Sequence, residues 1–147
     1  MNTTNFNFFS RNVLLGASAT LLVFSLTSYA KKIKFLASSV VPSARGQVII
    51  KKYKNENYEI KIKIDELAEV QKVEPSKNMY IVWMESEKLM VKNMGYIVGN
   101  SGAISSKLKA GFKTITAFKP TKIFITAEDN ANIPYPINPF ILETTRF

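Results

Sequence analysis

The stretch Tyr58-Glu59-Ile60-Lys61-Ile62-Lys63-Ile64 decides the fold class. Tyr58, Ile60, Ile62 and Ile64 fall on one side of an extended chain, and Glu59, Lys61 and Lys63 on the other. A period of two is that of a β-strand, and one apolar side with one charged side marks a strand with a single wet face. Immediately before it, Gln47 to Tyr53 (QVIIKKY) has the same β-rich character. Lys54-Asn55-Glu56-Asn57 between them has the asparagine content of a hairpin loop.

Working outward, the same signals recur. Met79 to Glu85 (MYIVWME) is apolar on both sides and reads as a central strand buried on both faces. Ser86-Glu87-Lys88 turns the chain, and Leu89 to Val98 pairs back, with Gly95 marking a bulge or a close approach. Gly99-Asn100-Ser101-Gly102 is a turn. Ser105 to Phe112 reads as a weak strand. Ile115 to Phe118 leads through Pro120 into Lys122 to Glu128 (KIFITAE), a second central strand. Asp65 to Val73 reads as a loop or short helix crossing between sheets, closed by Pro75. Pro134, Pro136 and Pro139 have no N–H for a ladder, so Ile133 to Pro139 is an edge or a polyproline connector. Phe140 to Phe147 closes the domain. Seven or eight short strands with turns between them predict an all-β, Ig-like antiparallel β-sandwich.

The first 30 residues differ from the rest. Met1 to Asn12 carries a single charge, Arg11, and Val13 to Ala30 carries none. The run ends in Ser28-Tyr29-Ala30, followed by Lys31-Lys32. A basic n-region, an apolar h-region and a small-x-small end make a secretory signal peptide, with cleavage expected between Ala30 and Lys31. The expected domains are therefore a signal at 1–30 and a sandwich at 31–147, in an extracytoplasmic place, periplasmic or secreted. The alternative is an uncleaved membrane anchor, since 18 uncharged residues are close to spanning length. No Cys follows the signal, so lipid anchoring by that route is excluded, and packing alone must hold the domain.

Composition removes most enzyme classes. The chain has no His and no Cys, which eliminates Ser-His-acid and Cys-His nucleophiles, histidine bases and most zinc sites. No phosphate-cradling glycine loop is present. The reading is of a non-enzyme, with no cofactor, catalytic residue or metal ligand expected. Glu128-Asp129-Asn130 is the best oxygen cluster, but its spacing suits a strand end and an Asx turn better than calcium. Glu85 and Glu87 read as a solvated hairpin end rather than a glycosidase pair. Trp83, the single Trp, reads as a core-filling aromatic, and Tyr135 as the exposed one.

The formal net charge is +9. The excess is concentrated in Lys31 to Lys63 and again in Ile104 to Phe147, with a mildly acidic stretch between. A field of that sign attracts anionic surfaces. The plainer reading is a lysine-rich solvated face that keeps the protein soluble. Lys51-Lys52-Tyr53-Lys54 interleaves bases and an aromatic as single-strand nucleic-acid binders do, but export makes nucleic acid an unexpected partner. A protein or a glycan is expected instead, and a membrane only if the signal stays uncleaved.

The run Tyr80-Ile81-Val82-Trp83, then Asn93-Met94-Gly95, then Ile123-Phe124-Ile125-Thr126-Ala127-Glu128, then the Pro-spaced tail, resembles a group of exported bacterial β-sandwich proteins of undefined function. It is also similar to the extracytoplasmic C-terminal domain of the anti-sigma factor RskA family. The similarity covers about Tyr80 to Thr144. It implies an Ig-like sandwich and a sensor-like module. It does not carry over sigma-factor binding, because only Met1 to Asn12 precede the apolar segment.

Overall fold

The computed structural model describes residues 29–97 and 109–147. Eight strands form over this span: β1 Ala30–Lys34, β2 Arg45–Lys52, β3 Tyr58–Asp65, β4 Met79–Ser86, β5 Val91–Ile97, β6 Ala110–Thr116, β7 Pro120–Glu128 and β8 Phe140–Glu143. They make two four-stranded sheets, ordered β1-β2-β3-β6 (sheet I) and β5-β4-β7-β8 (sheet II). Every pairing is antiparallel. β3 pairs with β6 and β4 with β7, so the chain leaves sheet I after β3, returns at β6 and leaves again at β7. This is the crossover pattern of an Ig-like sandwich.

Alternation fixes which side of each strand enters the core. Ile60, Ile62 and Ile64 are buried beside Val48 and Ile50, and they face Tyr80, Val82, Met84, Ile123, Ile125, Ala127 and Leu142 of sheet II. Each such side chain contributes roughly 1.5–3 kcal/mol by leaving water. A one-residue slip of β3 would turn Lys61 and Lys63 into this core, so the register is strongly specified.

The sequence reading corresponds closely to the strands, with two differences. β1 is an additional strand, paired to β2 from Ala30↔Lys51 to Lys34↔Gln47. Its Lys-Lys-Ile-Lys sequence offers a single inward residue, Ile33, and so shows too little alternation to be recognised. The strand expected at Ser105 to Phe112 is centred later, at Ala110–Thr116. Its first part and the Gly99–Gly102 turn lie outside the described residues. The crossing segment after β3 is, as expected, a loop with one short helical turn, a 3-10 helix at Val70–Lys72, which buries Val70 against the core.

Gly95 lies opposite Val82 while Asn93 lies opposite Trp83, so Met94 is the extra residue of a bulge. Gly95 has φ +124°, and a Cβ there would meet the Phe112 ring at 3.2 Å. The positive φ favours glycine, and the Phe112 ring leaves a side chain little room. The bulge lets the β5 edge of sheet II approach the β6 edge of sheet I. At the opposite side the chain itself links the sheets. Phe35 N–H donates to Gly46 of β2, and the next residue, Leu36, donates to Glu143 of β8.

Candidate interaction surface

The carboxylates singled out in the sequence are all engaged. Glu128 is 1 % exposed. Its Oε1 accepts the backbone N–H groups of Ile137 and Asn138, and its Oε2 accepts the Asn138 amide. Asp129 pairs with Lys77 at 2.8 Å, and Asn130 accepts the Asn132 N–H in an Asx turn. Glu85 pairs with Arg146, and Glu87, beyond the end of β4, pairs with Lys119. Among the described residues, no group of three or more acidic side chains is gathered where it could hold a metal.

Glu128 has a different role, latching the Pro-spaced connection between β7 and β8 across the outer side of sheet II. Ile81, Trp83 and Phe124 point outward from β4 and β7, yet all are buried, with Met79, Ala131 and Ile133 packed against them. Trp83 donates its indole N–H to Thr126 Oγ1 at 2.9 Å. Asn93 adds two more ties by donating to the carbonyls of Ala131 and Ile133. Trp83 is thus buried as expected, but in a second, smaller core outside the sandwich proper. Tyr135, on the connection, is 64 % exposed.

The outer side of sheet I has no such cover. Register places Lys32, Ile49, Lys61 and Lys113 in one row across the four strands, and Lys34, Gln47, Lys63 and Gly111 in the next. A third row holds Ala30, Lys51, Glu59 and Ile115. Lys32, Lys34, Lys61, Lys63 and Lys113 are all exposed. The array spans roughly 15 Å across the strands, with about 7 Å between rows. All of its charges lie within about one or two Debye lengths of each other at 0.1 M salt and act together. Glu59 is the one acid within it, and Tyr53 and Lys113 bind its carboxylate. The Tyr53 hydroxyl first, and Lys113 and Lys51 with it, hold the Glu59 carboxyl below its ordinary range, while the same bond raises the Tyr53 hydroxyl. Among the described residues, Lys32, Lys34, Lys61 and Lys63 have no ion-pair partner.

Charge segregation along the chain therefore only partly becomes segregation in space. Lys113 joins the face, whereas Lys119, Lys122 and Arg146 from the same C-terminal part are paired elsewhere with Glu87, Glu143 and Glu85. The contribution of β1 was not legible from sequence, because its pairing partner is ten or more residues away. In the Lys51–Lys54 run, Tyr53 is bonded to Glu59 and lies under Lys51, and Lys52 pairs with Glu56. The Tyr53 ring is only partly exposed, so it is not an open stacking platform.

Ala30 and Lys31, the expected cleavage residues, are the first two residues of β1, and Lys31 Nζ lies over the Phe147 ring at 5.2 Å. The segment 1–28 of the expected signal lies outside the described residues. Among the described residues no helix is long and apolar enough to cross a membrane. A cleft of about 70 Å³ between Val40, Val73, Pro75, Ala127, Pro139 and Ile141 is small beside the roughly 300–1,000 Å³ of ordinary ligand sites.

No protein-family model, curated protein or solved structure matches this chain.

Proposed function

We propose that this chain is an exported, non-catalytic binding module whose working surface is the lysine array on sheet I. The observation that carries the reading is the direct opposition of Lys61 and Lys113 in the β3–β6 register. Like charges directly opposite each other destabilise a sheet. Solubility alone would be served equally by alternating signs. A field of one sign on a nearly flat surface serves the capture of an acidic partner, either an acidic protein or an acidic polysaccharide. Lysine suits such a partner, because its ammonium is a mobile, hydrated point charge without the fixed geometry of arginine.

The residues that carry the RskA-type resemblance support the module reading in a further way. Trp83, Thr126, Glu128 and the proline connection form a single packing unit over sheet II. The resemblance therefore rests on a device that stiffens the sandwich and leaves sheet I free to vary. Export agrees with the uncharged run before Lys31.

The test is retention of the full chain on immobilised heparin, a generic acidic polysaccharide, at low ionic strength. Retention reversed by salt is expected. The double substitution Lys61→Glu with Lys63→Glu should elute at distinctly lower salt, and Lys122→Glu, on the other sheet, should not. Equal elution of the two variants would sink the assignment to sheet I. Export is tested separately by fractionation and N-terminal sequencing. A soluble product beginning at Lys31 is the expected result, and a full-length product in the membrane would replace the free module by a tethered one.

A further inference from the structure

The two ends of the sandwich differ. The start of β1, the β2–β3 hairpin (53–57), the β4–β5 hairpin (87–90) and the β6–β7 turn (117–119) gather at one end. Register and contacts both place them there: Ala30 is opposite Lys51, Tyr58 opposite Thr116 and Ser86 opposite Pro120. Glu87 N–H donates to the Lys119 carbonyl, and Lys31 reaches Phe147.

This end carries a contiguous apolar tip. Leu89, Met90 and Val91 are 66 %, 39 % and 40 % exposed. Leu89 has φ +57°, and the bonds Leu89 N–H to Ser86 and Ser86 N–H to Met90 make a three-residue hairpin loop. Its left-handed position is the one glycine ordinarily takes. A large apolar side chain is thus held in water at a position where it also strains the backbone, and strain of this kind clusters at functional sites. Ile115, 59 % exposed, adds to the same end of sheet I.

Charge sets this end apart from the opposite one. Around the tip stand Lys52, Lys54, Lys88 and Lys119, against Glu56 and Glu87. Among the described residues the far end carries Arg45, Lys72, Lys77 and Lys109 against Asp65, Glu66, Glu69, Glu74 and Asp129. The far end also exposes Val40 and Ile137, but without an excess of bases among its described residues.

We propose that this end docks on an anionic lipid bilayer, with Leu89, Met90 and Val91 in the headgroup–acyl boundary and the lysines among the lipid phosphates. Apolar burial and attraction to anionic lipid reinforce each other in such contacts, and lysine stems reach past apolar surface to keep their charge in the headgroups. In this pose the strands stand away from the membrane and the sheet I array faces sideways, open to a partner. The proposal uses different residues from the array and does not depend on it.

The chain has no Cys, so single-site labelling is clean. The full chain carrying Leu89→Cys, labelled with an environment-sensitive fluorophore, is mixed with phosphatidylglycerol–phosphatidylcholine vesicles that hold a lipid-borne quencher. Expected is a blue shift and at least twofold quenching at position 89, and neither at Ser76→Cys on the far end. Met90→Cys serves as a second reporter should the Leu89 variant not fold. No quenching at 89 and 90, equal quenching at 76, or equal quenching on phosphatidylcholine alone would overturn the proposal. A blue shift caused by soluble heparin would also overturn it, by assigning this end to polyanions. The Lys61→Glu, Lys63→Glu variant should quench as the parent does, which separates failure here from failure of the array.

Discussion

The two outer faces of this sandwich are built by the same alternation and end differently. On sheet II the outward residues Ile81, Trp83 and Phe124 are buried beneath the β7–β8 connection. On sheet I half of the outward residues in the three rows are lysines, and five of these six are exposed. The difference follows from the connections. β7 and β8 are joined by eleven residues (129–139), enough to lie across the strands, and three prolines stiffen them at little entropic cost. β2 and β3 are joined by a short hairpin that can cover nothing. A covered face confers stability, whereas an open one can meet a partner.

The largest effect should come from breaking the covered face. Trp83→Ala should cost about 3–5 kcal/mol, as large aromatic truncations in a packed site do. Urea unfolding followed by circular dichroism would measure it, and a cost under about 1 kcal/mol would mean that the connection does not pack as a core. Next, Glu128→Gln removes the charged acceptor that holds the connection and should cost about 2–3 kcal/mol, the scale of hydrogen bonds to a charged group. Since Trp83 is the sole Trp, its emission should shift to the red in this variant even before unfolding, while heparin retention stays unchanged.

The shared core supplies a pH test. Tyr80 donates to the Ala68 carbonyl, and burial pushes its hydroxyl up to about 12 from an ordinary value of 10. The unfolded chain therefore ionises this tyrosine first. Its contribution to stability is fully present below pH 10 and is lost as pH rises from there through about 12. Tyr80→Phe should cost about 1 kcal/mol at neutral pH and should flatten the alkaline loss, which melting curves between pH 9 and 12 would reveal. The smallest effect has the opposite sign. Lys61→Glu places opposite charges across β3 and β6 and should stabilise by about 0.2–1 kcal/mol, while weakening heparin retention. A variant that loses both stability and retention would contradict the view that the array is held against its own repulsion.

Much of the fold was legible. Strict alternation at Tyr58 to Ile64 and two-sided apolarity at Met79 to Glu85 and Lys122 to Glu128 state how many faces each strand buries. β1 was not legible, since Lys31, Lys32 and Lys34 surround one isoleucine and only the pairing to β2 makes them a strand. The role of Glu128 was hidden for a similar reason. A carboxylate before a turn looks like a solvated strand end, and its burial depends on where the proline connection settles.

By itself, the sequence determined the class of structure, the absence of histidine and thiol chemistry and the sign of the charge, because period, composition and net charge are properties of the chain alone. Tertiary structure decided which lysines share a surface, which aromatic lies under a cover and which end carries the apolar hairpin. Those are questions of neighbours brought together by strand order, and hydrogen-bonded register between distant segments is what sets them.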